Sequence, residues 1–119
     1  MFLLFHVVEL LPYLHLDGVP VLSAAPYRAK GERKGEGVQI DLLLQTRRAA
    51  YVVEVKRRAE IGEEVEQEVA RKVRLLSVPR GTSIRTALVY EGHLAPVVKG
   101  NAWFDALVPF DHLLGRVGA

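Results

Sequence analysis

Two neighbouring aliphatic segments, residues 38–45 and 50–56, constrain the fold more than any other part of this chain. Both are rich in β-branched and aliphatic residues, whereas the segment 46–48 between them is polar. This composition predicts two β-strands joined by a short turn. Charged residues lie inside both predicted strands, so the chemistry of the hairpin depends on which faces carry them.

The period-two alternation of a strand assigns these charged residues to faces. In the second strand Glu54 and Lys56 share a face, because they are two residues apart. The opposite face of that strand then carries Tyr51, Val53 and Val55. In the first strand, one predicted face carries Val38, Ile40, Leu42 and Leu44, and the other carries Gln39, Asp41, Leu43 and Gln45.

The turn sets the register between the two strands. If Gln45 pairs with Ala50, the same antiparallel register places Asp41 directly opposite Glu54. Side chains in such a pair have Cβ atoms roughly 4.5–5.5 Å apart, and like charges there are destabilising. A hard divalent cation compensates two carboxylates, since Mg²⁺ is commonly held by one or two carboxylates together with water and substrate phosphate.

Lys56 lies beside this carboxylate pair in the predicted strand. An ammonium group at that position can orient an attacking water or offset the charge that develops on a phosphate in the transition state. The three residues therefore outline a site that cleaves phosphodiester bonds.

The spacing of these residues resembles the PD-(D/E)xK nuclease core, in which an acidic residue and a later Glu-x-Lys lie on a hairpin followed by a helix. Many restriction enzymes and archaeal Holliday-junction resolvases have this core. More narrowly, the chain is similar to the C-terminal nuclease-like domain of a group of prokaryotic AAA-type ATPases. The similarity covers most of the chain and is strongest over residues 27–90; it is carried by the segments 26–28, 39–43, 53–56, 84–85 and 103–105.

The resemblance implies an α/β fold of the restriction-endonuclease type, with a mixed β-sheet flanked by helices, and metal-dependent cleavage of DNA. It assigns Asp41 and Glu54 as ligands of Mg²⁺ or Mn²⁺, with the carbonyl of Val55 as a third ligand. Lys56 then positions or activates the water, and Gln39 helps to orient it. The chain contains no nucleotide-binding signature, so an ATPase motor would belong to another part of such a protein.

Several nucleases of this class carry an extra acidic ligand on the first core helix, and Glu9 is the only candidate here. The alternative is a surface glutamate at the edge of the helix. In the ATPase-linked relatives an acidic residue follows a phenylalanine near this point, whereas this chain has Phe5 and His6.

The segment 2–16 is apolar on nearly all sides and predicts a buried helix that Pro12 divides. A domain of this size can bury only part of it, so we expect a partner surface here, for a second copy or a neighbouring ATPase domain. Glu9, Pro12 and Asp17 interrupt the segment before the ~18 apolar residues that a membrane span requires. The basic start of a secretory signal is also missing.

Size and composition predict one globular domain over residues 1–119, because 50% hydrophobic content suffices for a single core. The absence of cysteine excludes a disulfide framework and a thiolate zinc site, and it fits a cytoplasmic protein. The formal net charge is +2, with 16 basic and 14 acidic residues, which permits nucleic-acid binding without requiring it.

Basic residues near the predicted hairpin are the candidates for contacts to a DNA backbone. Most lie in or beside the glycine-rich segment 30–37, for which a solvated hairpin tip is the alternative. The candidates are Arg28, Lys30, Arg33, Lys34, Arg57 and Arg58.

The second half of the chain predicts a helix, a strand and a mostly helical end. Helical spacing predicts one buried stripe, and a strand over residues 84–90 should end at a turn over 91–93. We further expect a short piece at 95–98, a helix capped by Asn101, and a last turn at 110–115. The stripe comprises Ile61, Val65, Val69, Val73 and Leu76, and the capped helix contains Trp103, Phe104 and Leu107.

Two other interpretations of the charged hairpin stay open. The domain can be a nucleic-acid-binding or regulatory module that keeps the nuclease core without its activity. Alternatively, Asp41, Glu54 and Lys56 form an ordinary cross-strand salt-bridge cluster in an unrelated α/β domain. A divalent ion between the two carboxylates would exclude this last interpretation.

Overall fold

The computed structural model describes residues 6–31 and 36–113, which form a five-stranded mixed sheet flanked by helices. The predicted α/β class is therefore confirmed. The strands are β1 (Ser23–Ala29), β2 (Val38–Gln45), β3 (Ala49–Ile61), β4 (Ser83–Leu94) and β5 (Ala106–Pro109). The helices are α1 (Val7–Leu10), a 3₁₀ helix (Leu11–Leu14), α2 (Glu64–Leu75), α3 (Pro96–Gly100) and α4 (Phe110–Leu113).

The strands follow one another across the sheet in chain order. β1, β2 and β3 form an antiparallel meander, whereas β3 pairs in parallel with β4 and β4 in parallel with β5. Parallel neighbours need crossover connections. Here α2 lies between β3 and β4 in the chain, and α3 lies between β4 and β5.

Each face of the sheet carries its own apolar core. One face packs against α2, and the predicted stripe of that helix is confirmed: Val65, Val69 and Leu76 are buried there with Ile61, which ends β3. The other face packs against α1, the 3₁₀ helix and α4. We call these the α2 face and the α1 face.

A β-bulge in β2 changes which face its side chains take. Tyr27 of β1 pairs with Ile40, and Ala25 pairs with Leu43, so β2 advances three residues while β1 advances two. The extra residue lies at 41–42, opposite Pro26. Proline has no N–H to donate to a ladder, which makes an edge strand facing a bulge a suitable place for it.

The bulge shifts the alternation of β2 by one residue. Val38 and Ile40 lie in the core of the α2 face, whereas Leu42 and Leu44 lie in the core of the α1 face. The prediction that these four residues share a face is wrong, because strict period two holds only in an unbroken strand.

A second bulge lets β3 and β4 run past the predicted turn at 91–93. Arg57 pairs with Glu91 and Glu60 with His93, so two residues of β3 lie opposite Gly92. Gly92 has a φ of 132°, and a β-carbon there would overlap the carbonyl oxygen of Arg58. The glycine that suggested a turn instead permits a close approach between strands.

Within the described residues, the helical part of the N-terminal segment ends at Leu14, before the predicted end at residue 16. α1 passes into the 3₁₀ helix that contains Pro12, and His15 ends it in the left-handed conformation with a φ of 58°. Leu10 and Leu14 are buried against the sheet, while Val8 is 75% exposed. Residues 2–5 lie outside the described residues, and the predicted contact with a second copy or an ATPase domain stays a prediction.

No helix in the described parts of the chain is both long enough and apolar enough to cross a membrane.

The C-terminal region contains a strand where we predicted a helix. Asn101 follows α3 instead of capping a later helix, and residues 106–109 form β5. Leu107 packs against the core of the α2 face and Val108 lies in the core of the α1 face, as strand alternation requires. The predicted final turn is α4, of which positions 114 and 115 lie outside the described residues.

Candidate active site

The bulge in β2 places Asp41 where β2 and β3 separate. The predicted register is confirmed, since Gln45 pairs with Ala50, but the ladder ends at the pair Leu42 and Val53. One residue further on, the Oδ2 atom of Asp41 accepts the backbone N–H of Val55 at 2.9 Å. Beyond the end of the ladder, the carboxylate of Asp41 thus accepts the N–H of Val55 in place of a backbone carbonyl of β2.

The backbone of Val55 faces the same gap. In a strand the N–H and C=O of one residue point to the same side, because hydrogen-bonded pairs exchange both bonds. Since the N–H of Val55 points at Asp41, its carbonyl oxygen points toward the β2 side as well. This is the orientation that the predicted role of Val55 as a carbonyl ligand requires.

Glu54 lies on the α2 face of β3 and is 1% exposed. Its Oε1 atom accepts a hydrogen bond from the ammonium group of Lys72, on α2, at 2.7 Å. The pKa of Glu54 is raised to about 7, chiefly because burial disfavours the charged carboxylate. The neighbouring carboxyl of Asp41 raises this pKa further, whereas Lys72 lowers it.

Lys56 lies on the same face as Glu54, as predicted, and its side chain is 15% exposed. Its ammonium group is 2.6 Å from the Oε2 atom of Glu68, which also lies on α2. Two ion pairs therefore link β3 to α2. In one, the strand supplies the carboxylate and the helix the lysine; in the other, the strand supplies the lysine and the helix the carboxylate. We call Glu54, Lys56, Glu68 and Lys72 the charge quartet.

Two residues of α2, Glu68 and Lys72, complete the site, and Lys72 is the one that the sequence did not reveal. The two are four residues apart, and an ion pair between them is the ordinary arrangement for that spacing on an exposed helix face. In the structure each one reaches across to β3. Their spacing offered one signal, since residue 72 is seven after Val65 and residue 68 is three after it, which places both beside the buried stripe.

Gln39 lies away from this group. Its neighbours Val38 and Ile40 both point into the core of the α2 face, so Gln39 points to the other side of the sheet. There its Oε1 atom accepts a hydrogen bond from the Nη2 atom of Arg28 at 3.2 Å. The bulge thus separates Gln39 from Glu54 and Lys56, and its expected role in orienting water does not fit this position.

Glu9 also lies on the other side of the sheet. α1 packs on the α1 face through Leu10, whereas Glu54 points to the α2 face. The carboxylate of Glu9 is 43% exposed and lies 3.9 Å from the Nδ1 atom of His6. Within residues 6–31 and 36–113, no group of three or more His, Cys, Asp or Glu side chains is arranged to hold a metal ion.

The basic candidates lie on the surface of the described chain. Arg28 and Lys30 are exposed at the end of β1. Arg57 is 3.1 Å from Glu91 and lies over the ring of Phe110 at 4.4 Å, on the α1 face. Arg58 is 3.7 Å from Glu64 of α2. Arg33 and Lys34 lie outside the described residues.

The donor set of the site fits Mg²⁺ or Mn²⁺. Asp41, Glu54 and the carbonyl of Val55 are all oxygen donors, which hard divalent cations prefer. The carboxyl of Asp41 raises the pKa of Glu54, so the two groups lie close enough to repel each other when both are ionised, and a shared proton or a cation relieves this repulsion. Two carboxylates suffice for Mg²⁺, which keeps several waters and takes further oxygens from substrate phosphate.

No protein-family model, no curated protein and no solved structure matches this chain significantly. Only the geometry and chemistry of the site itself therefore indicate a function.

Proposed function

We propose that this domain is a metal-dependent endonuclease that hydrolyses phosphodiester bonds in DNA. The observation that carries the proposal is the pair of carboxyl groups of Asp41 and Glu54 where β2 and β3 separate. Val55 presents its backbone beside them, and Lys56 lies on the same face as Glu54.

The cost of this arrangement supports a functional role. Glu54 is almost completely buried next to a second carboxyl group, and its raised pKa shows that ionisation is unfavourable there. Strongly perturbed carboxyl groups with a specific charged partner are concentrated at functional sites. A purely structural strand would be more stable with an apolar residue at this position.

The chain's own residues suit the reaction. Asp41 and Glu54 would hold the cation, and Asp41 is fixed by the N–H of Val55. When bound, a divalent cation polarises the phosphoryl oxygens and makes bound water a better nucleophile. Lys56 then orients the water or offsets negative charge on the phosphate, and Glu68 holds the Lys56 side chain in place.

The order of elements supports the resemblance to PD-(D/E)xK nucleases. A short helical segment precedes three antiparallel strands, and α2 then leads to a strand parallel to the third. The acidic residue and the Glu-x-Lys triplet lie on the second and third of those strands. DNA as the substrate is favoured by the exposed Arg28 and Lys30, which lie where the end of β1 meets the start of β2, at the end of the sheet nearer to Asp41.

A specific observation favours a second candidate function, a silent nucleic-acid-binding or regulatory module. Both Glu54 and Lys56 already have charged partners on α2, so the charge quartet is neutral as a whole when all its members are ionised. A domain that had lost its metal could keep such pairs to stabilise its core.

Calorimetric titration with Mn²⁺ tests the proposal. We expect wild type to bind the ion and Asp41→Asn to lose most of that binding, because the amide keeps an acceptor for the N–H of Val55 but not the charge. Asp111→Asn is the matched control, since Asp111 is an exposed aspartate on α4. Branched, linear and single-stranded DNA are then incubated with each protein and Mn²⁺.

The outcomes separate the two candidates. Cleavage by wild type and Asp111→Asn, but not by Asp41→Asn, supports the nuclease. Metal binding without cleavage of any substrate favours the silent module. If wild type does not bind Mn²⁺, the catalytic proposal is wrong and the carboxylates belong to a structural cluster.

A further inference from the structure

Lys72 occupies the position where a cation would contact Glu54. Its ammonium group is 2.7 Å from the Oε1 atom of Glu54. Both side chains are largely shielded from solvent, since that of Glu54 is 1% exposed and that of Lys72 is 15% exposed. Lysine carries one positive charge, and it is anchored on α2, whose buried stripe fixes it over the sheet. The carboxylate pair therefore already has a resident cation supplied by the protein.

We propose that Lys72 competes with the divalent cation for Glu54, so that this residue sets the affinity of the site for metal. The inference rests on the proposed function, because it takes Asp41 and Glu54 as the metal ligands. Binding of the ion requires the ammonium group to leave Glu54. α2 is thus part of the site as well as of the core.

Charge and distance both favour this exchange. A divalent ion on Glu54 and the ammonium group of Lys72 cannot both lie within hydrogen-bonding distance of one carboxylate without strong repulsion, since the interior screens charges less than water does. Glu68 is the acceptor closest in sequence on the same helix, four residues before Lys72. Glu68 holds Lys56 at 2.6 Å, so a displaced Lys72 gains a neighbouring carboxylate to approach.

Lysine acetylation of the wild-type protein tests the exchange without any substitution. Lys72 reacts slowly with an acetylating reagent while its ammonium group is paired and mostly buried, and Mn²⁺ should raise its rate severalfold. The exposed Lys99, on α3, is the internal control and should react equally fast with and without the ion. Peptide mass spectrometry measures both rates.

Calorimetry with Mn²⁺ at pH 8 gives the second measurement. Lys72→Gln removes the resident charge and keeps a hydrogen-bond donor, so we expect it to bind Mn²⁺ about tenfold more tightly than wild type. Arg74→Gln removes one positive charge from the exposed part of the same helix and should bind as wild type does. Lys72→Arg keeps the charge and should bind no more tightly than wild type.

The results distinguish a failure of this inference from a failure of the proposed function. If wild type binds Mn²⁺ but the acetylation rate of Lys72 does not change, the ion binds with Lys72 in place and the competition is refuted. Equal or weaker binding by Lys72→Gln refutes it as well. If none of the proteins binds Mn²⁺, the proposed function is refuted, and this inference is refuted as well because it depends on that function. The labelling result decides the question even where Lys72→Gln does not fold.

Discussion

At the scale of single residues, Glu54 is unfavourable in its ionised form, because it is buried beside another carboxyl group. The ion pair with Lys72 only partly offsets that cost, since the pKa of Glu54 is still raised from 4.5 to about 7. A group whose pKa is higher in the folded than in the unfolded protein takes up protons on folding. Its contribution to stability is therefore complete below the unfolded pKa and is lost as the pH rises through the folded pKa.

The direction of this pH dependence gives a prediction for Glu54→Gln in metal-free buffer. The amide resembles the protonated carboxyl group, so the variant and wild type should have similar free energies of unfolding near pH 4.5. Between pH 4.5 and pH 8 wild type should lose about 2–3 kcal/mol relative to the variant. Urea denaturation at several pH values, with a chelator present, measures the difference.

Glu60→Gln is the matched control for that experiment, because Glu60 is an exposed glutamate on the same strand. Its pH profile should follow wild type. A Glu54→Gln protein that is less stable than wild type at pH 8 would show that the pair with Lys72 outweighs the cost of burial, contrary to the pKa shift.

At the scale of elements, local patterns predicted what depends on local sequence. The hairpin register, the shared face of Glu54 and Lys56, and the stripe of α2 all follow from spacing within one segment. The two bulges do not, because each depends on a partner strand: Pro26 opposite β2, and Gly92 opposite β3. β5 was missed because four residues are too few to show an alternation.

The second bulge leads to a test of the glycine in β4. Gly92→Ala should lower the free energy of unfolding by at least about 2 kcal/mol, because the new methyl group overlaps the carbonyl oxygen of Arg58 and the φ of 132° is strained for alanine. Gly100→Ala is the control, since nothing lies within 4 Å of a β-carbon there. Thermal and urea denaturation of both variants make the comparison, and equal stabilities would contradict the close approach of the strands.

At the scale of the whole molecule, the candidate site depends on parts of the chain that are far apart in sequence. β2 supplies Asp41, and β3 supplies Glu54 and Lys56. The charged partners of Glu54 and Lys56 come from α2. Sequence spacing predicted the strand residues, because one hairpin holds them. It could not predict that Lys72 reaches Glu54, since this contact depends on how α2 crosses the sheet.

Positive charge lies at both ends of the sheet, so net charge does not tell where DNA binds. Arg28 and Lys30 lie at the end where β2 begins, whereas Arg47 and Arg48 lie at the opposite end, in the turn between β2 and β3. All four side chains are exposed. The proposed site lies toward the first end, because Asp41 and Val55 are beyond the last β2–β3 ladder pair, away from that turn.

Salt dependence of DNA binding distinguishes the two ends. Each phosphate contact contributes about 0.9 to the slope of log affinity against log salt, so loss of one contact lowers the slope by about that amount. We expect Arg28→Gln to show this decrease and Arg48→Gln, which removes the same charge at the opposite end, to keep the wild-type slope. Fluorescence anisotropy with a labelled duplex and Ca²⁺, at a series of salt concentrations, measures both. A decrease in Arg48→Gln alone would place the DNA at the far end of the sheet, away from Asp41 and Glu54, and would argue against DNA binding at the carboxylate site.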